Sequence, residues 1–288
     1  MKVLPFNIPK TESESFRVQV DRMPHFYDIL HRHPEIQITA ILSGKGQRFI
    51  GDQIGSFQPG DVLVIGPNIP HLLKCDEAYY QNPSTLFAHS ISIFFNQNSL
   101  GNDFFSLPEM NLVREFIQKS ACGLIISQHE SGNIFDKIIE IKEKEGIDKV
   151  IGFLQILKLL SQINDQQFLS PLPFYTSNRE EDGSRLNDVI QFMIKNYPKN
   201  ISLEEISEIA HLSPAAFCRF FKLRTRKTFI TFLNELRISH ACKLLTESEQ
   251  PVNEICYHTG FNNLAHFNRL FKIQTGVTPS LYRKKAFL

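Results

Sequence analysis

The C-terminal third contains the stretch AFCRFFKLRTRKT (216–228), which recurs 50 residues later as HFNRLFKIQTGVT (266–278). Six positions are identical, and they include two phenylalanines spaced by four residues in each copy. Upstream, LEEI (203–206) matches VNEI (252–255) after a slip of one residue. Self-similarity of this length indicates a duplicated supersecondary unit.

Each copy carries the signals of a helix-turn-helix unit. In the first copy Ser202 and Ser213 are predicted to cap the two helices, and a proline follows Ser213 at the first helical position. In the second copy Gly260 lies in the predicted turn, and Asn262 or Asn263 is the predicted cap of the second helix. The chain is therefore predicted to contain two helix-turn-helix units.

The segment between the units and the charge of this region both favour DNA binding. Residues 228–248 predict one amphipathic helix of about 19 residues and about 28 Å, close to the ~34 Å between successive major-groove faces of B-DNA. Residues 1–183 hold 16 basic and 22 acidic side chains, whereas residues 184–288 hold 15 basic and 8 acidic. The alternative is an ordinary helical bundle with a solvated charged face.

The second helix of each unit is expected to bury its phenylalanines and to turn a polar face toward DNA. Arg219 and Arg269 suit bidentate hydrogen bonds to guanine, and Asn268 suits adenine or phosphate. The other basic residues suit the DNA backbone. The predicted DNA-binding residues are Ala215, Cys218, Arg219, Lys222, Arg224, Leu264, Ala265, His266, Asn268, Arg269 and Lys272.

The stretch from Arg185 to Arg283 resembles the DNA-binding domain of the AraC/XylS family of bacterial transcription regulators, above all in TFLNELRISHACKLL and TGFNNLAHFNRLFKIQTGVTPSLYR. The resemblance implies a seven-helix domain, binding to double-stranded promoter DNA, activation of transcription and RNA polymerase as a partner. By motif position it places the base-reading sites at Ala215, Cys218, Arg219, Leu264, Ala265, His266 and Arg269.

Composition shifts along the chain predict two domains and a linker. Residues 1–164 are the first domain, 165–183 a polar linker with two prolines, and 184–288 the double helix-turn-helix domain. Up to about residue 95 the first domain has short β-rich runs, which predict a small antiparallel barrel or sandwich. Further along the first domain, apolar residues recur at three- and four-residue spacing, which predicts helices.

The last helix predicted in the first domain carries a broad apolar stripe. Two roles remain open for it: packing onto its own domain, or forming the interface of a homodimer. The stripe consists of Val150, Ile151, Leu154, Leu157 and Leu160.

Two segments of the first domain, HRHPEIQITAILSGKG (31–46) and FQPGDVLVIGPNIPH (57–71), resemble the two short motifs of a cupin barrel. The fold class predicted for the chain is therefore α+β multidomain: an N-terminal cupin-like β-barrel with trailing helices, then an all-α domain with two helix-turn-helix units. Strand alternation groups the predicted effector-binding residues. They are His31, His33, Glu35, Gln37 and His71.

In metal-binding cupins three histidines and a glutamate converge on the metal. Here the position four residues after the second histidine is Gln37, and Glu35 has the wrong spacing. We therefore predict no metal and no cofactor. Sensor cupins joined to this type of DNA-binding domain commonly bind a small molecule such as a sugar, which is the predicted effector. A purely structural role for these residues is the alternative.

The remaining features narrow the function class. With 42% hydrophobic and 21% charged residues the composition is globular, and no signal peptide or membrane span is predicted, so we expect a cytoplasmic protein. The five cysteines are scattered, which disfavours a disulfide scaffold or zinc finger. No GxSxG, GxxxxGK[ST] or HExxH motif occurs, so no enzyme is predicted.

The main prediction is a transcriptional regulator, an activator that responds to a small molecule bound in the barrel. One alternative is a metal-dependent cupin enzyme, a dioxygenase or an isomerase, fused to a DNA-targeting module. The other is an architectural DNA binder with no specific site.

Overall fold

A computed structural model describes residues 14–81, 85–163, 168–170 and 180–286. The chain divides into two compact units, the first formed mainly by residues up to 178 and the second by the residues from 179 onward. The first unit is rich in strands and the second is helical, which confirms the predicted α+β multidomain class. The predicted linker, 165–183, lies largely outside the described residues, and its last four residues belong to a helix that begins at Glu180.

The described strands of the first unit form two sheets. The strands are β1 (Arg17–Met23), β2 (Ile36–Ser43), β3 (Gly46–Ile50), β4 (Gln53–Phe57), β5 (Val62–Ile65), β6 (His71–Cys75), β7 (Ala88–Phe95) and β8 (Leu124–Ile126). The larger sheet has the order β1-β7-β2-β5-β8, and the smaller has the order β4-β3-β6. The pairs β1–β7, β2–β7, β2–β5, β5–β8 and β3–β6 are antiparallel.

The two sheets pack on one another through an apolar cluster that includes Ile41, Phe57, Leu63 and Cys75. Within the described residues the strands do not close into one continuous barrel, because β1 and β8 each pair with a single neighbour in the larger sheet. The two facing sheets are the predicted cupin-like fold, which stays open at its edges within the described residues.

The central strands of the larger sheet separate an apolar face from a polar one. In β2, Ile36 and Ile38 join a buried core that also contains residues of the following helices. The intervening side chains of β2, Gln37 and Thr39, lie on the opposite face because successive residues of a strand alternate. That opposite face carries the cavity described below.

The described part of the first unit also has three α-helices: α1 (Asn111–Lys119), which precedes β8, and α2 (Gln128–Glu140) and α3 (Gly146–Leu160), which follow it. In α3, Leu157 and Leu160 are buried in the core of their own unit, and Val150 and Leu154 pack partly against it. Ile151 stays 45% exposed. Packing onto its own domain therefore accounts for most of the apolar stripe, and a homodimer interface stays a prediction.

The described residues of the second unit form seven helices, the number that the resemblance implies. They are α4 (Glu180–Asn196), α5 (Leu203–Ile209), α6 (Pro214–Thr225), α7 (Phe229–Glu247), α8 (Val252–His258), α9 (Leu264–Thr275) and α10 (Pro279–Ala286). The long helix predicted between the units is α7, with 19 residues. In the part of the chain that the structure describes, no helix has the length and apolar character needed to cross a membrane.

Side-chain caps begin α5, α6 and α9 of the helix-turn-helix units, whereas α8 follows Pro251 and has no side-chain cap. Ser202 accepts a hydrogen bond from the Glu205 amide at 3.0 Å, as predicted for a capping box. Ser213 caps α6. Of the two candidate caps for α9, the structure selects Asn263, whose side chain accepts from the His266 amide at 2.8 Å.

The turn of the second unit depends on Gly260, which has φ +88°. A Cβ there would lie 2.7 Å from the Tyr197 carbonyl oxygen and 2.9 Å from that of Pro198. Gly276, which ends α9, also has a positive φ, +78°, but a Cβ there would meet nothing within 4 Å.

Gly260→Ala is therefore expected to lower the free energy of unfolding of the second unit by about 1 to 3 kcal/mol, from backbone strain and the carbonyl contacts. Gly276→Ala introduces the backbone strain without the carbonyl contacts, so it should lower the free energy of unfolding by less, about 1 kcal/mol. Urea denaturation followed by circular dichroism measures both changes. Equal losses for the two variants would show that the carbonyl contacts at Gly260 are relieved without cost.

Candidate effector cavity and DNA-binding surface

The polar face of the larger sheet borders a cavity of about 540 Å³. Residues of β1, β2 and β7 line it together with the segment 24–33 and the start of β6. Four of the five predicted effector residues line this cavity: His31, His33, Gln37 and His71. A cavity of this size falls in the range of small-molecule sites.

The three histidines form a buried cluster in the lining of the cavity. One ring nitrogen from each lies within 4.8 Å of the others. The ring centroids of His31 and His71 are 4.1 Å apart, and those of His33 and His71 are 5.1 Å apart. A short backbone bridge between residues 31 and 71 brings the two segments together.

Backbone carbonyls orient all three rings. The Nδ1 atom of His31 lies 2.9 Å from the Ile29 oxygen, and that of His71 lies 2.8 Å from the Ile69 oxygen. The Nδ1 atom of His33 lies 3.0 Å from the carbonyl oxygen of residue 35. Because a carbonyl only accepts, each Nδ1 carries the proton, and in the neutral ring Nε2 keeps its lone pair.

Burial keeps these rings neutral. Burial and proximity to His33 together lower the pKa of His31 to about 4, against the opposing effect of the hydrogen bond to Ile29. Burial likewise lowers the pKa of His33, and it lowers that of His71 well below its ordinary value. The cluster therefore presents neutral imidazoles rather than positive charge at neutral pH.

A row of polar side chains runs from the cluster across the sheet. His33 Nε2 lies 3.0 Å from Gln37 Oε1, and the Gln37 amide donates to Thr39 Oγ1 at 2.8 Å. Thr39 Oγ1 in turn lies 2.8 Å from the Ser92 hydroxyl on β7. This row gives the cavity donors and acceptors on one wall.

Glu35, the fifth predicted effector-binding residue, is not among the described residues that line the cavity. The alternation that grouped it with Gln37 holds only inside a strand, and β2 begins one residue later, at Ile36. Glu35 instead supplies the carbonyl that orients His33, and its carboxylate lies 3.7 Å from that ring.

Two carboxylates that line the cavity were not predicted from the sequence. Asp21 on β1 accepts two hydrogen bonds from Gln19, at 2.8 and 3.0 Å. Asp28 accepts from Lys74 at 2.6 Å and from the Tyr80 hydroxyl at 2.9 Å, and its pKa is lowered by these partners against the opposing effect of burial. Neither Lys nor Arg is among the described lining residues.

In the second unit, α6 and α9 each bury phenylalanines and expose the predicted reading face. Phe217 and Phe221 of α6 and their counterparts Phe267 and Phe271 of α9 are fully buried. Ten of the predicted DNA-binding side chains are exposed, and Arg224 is half buried. The exposed residues are Ala215, Cys218, Arg219, Lys222, Leu264, Ala265, His266, Asn268, Arg269 and Lys272.

The two reading helices also differ where the sequence copies diverge. α6 ends on Arg226, which adopts a left-handed conformation with φ +57°, at the position that Gly276 occupies after α9. The turn before α6 uses His211 with φ +52°, whereas the turn before α9 uses Gly260. The duplicated backbone is thus kept although only the second copy has glycine at these positions.

Comparison with known proteins identifies both units. Residues 15–82 match the family model of the AraC-like ligand binding domain, and residues 206–285 match that of a helix-turn-helix domain. The chain is 24% identical over 276 residues to the uncharacterized HTH-type transcriptional regulator YdeC of Bacillus subtilis. The aligned residues cover 93% of this chain and 90% of YdeC.

A second relative is the HTH-type transcriptional activator RhaS of Mannheimia succiniciproducens, 23% identical over 255 residues, 86% of this chain and 87% of RhaS. Among solved structures, the DNA-binding domain of AdpA in complex with a target DNA is 25% identical and covers 35% of this chain and 91% of that chain, with a TM-score of 0.34.

Proposed function

The chain belongs to the AraC/XylS family of transcription regulators, and from this membership we propose that it activates transcription by reading promoter DNA with two helix-turn-helix units. The observation that carries the proposal is the duplicated helix, capped and seated on phenylalanines in both copies, that exposes Arg219 and Arg269 at equivalent positions. Activation is supported by the relative RhaS, which is named a transcriptional activator.

Four further assignments follow from an activator that works at promoters. Residues 184–288 form the DNA-binding domain and residues 1–164 the sensor domain, with 165–183 as the linker. RNA polymerase is the partner that activation requires, and the cytoplasm is where promoter DNA is reached. A homodimer would place two such readers on one promoter, with the exposed edge of α3 as its contact.

The cavity favours a neutral, polyhydroxylated effector such as a sugar. Hydroxyl groups of a sugar match the polar wall formed by Gln37, Thr39 and Ser92. Asp21 repels an anion, whereas Lys74 offsets the charge of Asp28 from 2.6 Å away, and no lysine or arginine is among the described lining residues. Effector binding would shift the population of chains able to occupy adjacent half-sites.

Selection of bound sequences from a random DNA library by the full-length protein at about 150 mM salt tests the proposed function. We expect an asymmetric motif with two blocks about one helical turn apart. If no sequence is enriched over the starting library, the result would contradict sequence-specific binding and would favour an architectural DNA binder.

The effector class is tested by thermal unfolding of EDTA-treated, metal-free full-length protein with neutral pentoses and hexoses and with the matching sugar acids, so that only the charges of the protein act on the ligand. We expect a neutral sugar to raise the unfolding temperature, because a ligand that binds only the folded state stabilises it. The acids should raise it less. A larger shift with the acids would contradict the charge argument.

A further inference from the structure

The histidine cluster brings three ring nitrogens close together in a buried site. His71 is 3% exposed and lines the cavity, yet its Nε2 atom has no hydrogen-bond partner. An unpaired polar atom in a buried site costs free energy unless something binds it. His31 and His33 place a ring nitrogen within 4.8 Å of this one.

Gln37 and His33 bring two hydrogen-bond acceptors together. Its Oε1 atom lies 3.0 Å from His33 Nε2, and both atoms are acceptors, because Nδ1 of His33 carries the ring proton toward a carbonyl. When two adjacent ligand atoms each lie about 2.1 Å from one metal ion, the distance between them is about the same as the distance between these two acceptors. A cation between them would remove the conflict.

We propose that the cavity holds a divalent transition-metal ion bound by His31, His33 and His71, with the Gln37 carbonyl oxygen as a fourth ligand. This departs from the sequence-based prediction, which set metal aside because glutamine replaces the glutamate of metal-binding cupins. An amide oxygen is a neutral ligand, so the replacement lowers the charge of the ligand set without removing a donor atom.

The surroundings of the cluster match what metal-binding histidines require. Each Nδ1 is fixed by a backbone carbonyl, the arrangement that holds a ligating ring in the right tautomer. A tetrahedral ion needs ligand nitrogens about 3.4 Å apart, so small ring rotations complete the site.

The ligand chemistry selects the class of ion. Three imidazoles suit zinc, nickel, iron or copper, whereas magnesium and calcium prefer an all-oxygen set. Because the three histidines line the cavity, the hydroxyl oxygens of a neutral effector can complete the coordination of an ion bound there. In this respect the inference rests on the proposed function, since it names how the same cavity would hold its effector.

The test uses tag-free full-length protein that has been treated with EDTA and transferred to metal-free buffer. Zinc is titrated at neutral pH in competition with a chromophoric chelator, and cobalt is added separately to record its visible absorption. We expect one equivalent of zinc per chain, and for cobalt the intense bands of a low-coordinate site with nitrogen ligands. Binding of less than half an equivalent would overturn the proposal.

Substitutions identify the ligands. His71→Ala should weaken zinc binding more than about 100-fold, beyond the loss expected for an outer-shell partner, whereas His129→Ala, at an exposed histidine of α2, should leave it unchanged. Gln37→Glu should tighten it about 10-fold by adding a charged ligand, and it keeps the proposal testable if His71→Ala fails to fold. Equal affinities for wild type, Gln37→Glu and His129→Ala would overturn the proposal.

The DNA selection, run on the same preparation, separates this inference from the proposed function. A specific motif without metal binding would retain the regulator and reject the metal site. Metal binding that is lost in His71→Ala, without any enriched DNA sequence, would retain the metal site and reject the regulator.

Discussion

Alanine at both Arg219 and Arg269 is expected to weaken binding to the selected DNA site by about 2 to 6 kcal/mol. Each guanidinium is exposed on a separate reading helix, and the loss of one bidentate contact to guanine costs about 1 to 3 kcal/mol. Losses at two distant sites add. Fluorescence anisotropy with the selected site and with single-base variants measures the effect.

The single substitutions show which kind of contact each arginine makes. If Arg269 reads guanine, Arg269→Ala should tolerate other bases at one position of the site and leave the remaining positions unchanged. Arg219→Ala should do the same at a position in the other block. Weakening that is uniform over all sequences would instead assign that arginine to a phosphate.

Lys222 and Lys272 give the matched controls, since they are exposed on the same helices one turn further along. Each lysine replaced by alanine should weaken binding on every sequence alike and reduce the slope of affinity against salt by about one unit. A lysine variant that changes the sequence preference would contradict the division into base-reading and backbone contacts.

The second unit was predictable in detail because its determinants are local. Caps, turns and the spacing of apolar residues lie within a few positions of the helices they specify, and the 50-residue offset repeats them. The prediction that 228–248 is one helix is confirmed by α7, Phe229–Glu247. The choice between Asn262 and Asn263 as cap was the finer detail that required coordinates.

The cavity was only partly predictable because its walls come from distant parts of the chain. Asp21 and Ser92 share a wall since β1 pairs with β7, for example Val20 with Ile91, and no local pattern reveals a pairing across that separation. The motif segments did indicate His31, His33 and His71. Which of Glu35 and Gln37 faced the cavity depended on where β2 begins, and strand ends are poorly specified by sequence.

Phe267→Ala is expected to lower the free energy of unfolding of the second unit by about 3 to 5 kcal/mol. The ring is fully buried, with its centroid 5.2 Å from that of Phe261 and 5.7 Å from that of Phe271. Its cluster also contains residues of α7 and α8, so the truncation leaves a cavity where three helices meet. Urea denaturation followed by circular dichroism measures the loss.

A loss of this size is a large share of the 5 to 15 kcal/mol that stabilises a typical domain, so Phe267→Ala should also populate chains in which α9 cannot present Arg269. Specific DNA binding should then fall more steeply with temperature than in wild type. Ile273→Ala on the same helix is the control, because Ile273 is 69% exposed and should change stability by less than about 0.5 kcal/mol. If Phe267→Ala unfolded at the same urea concentration as Ile273→Ala, the aromatic cluster would not be what positions the second reading helix.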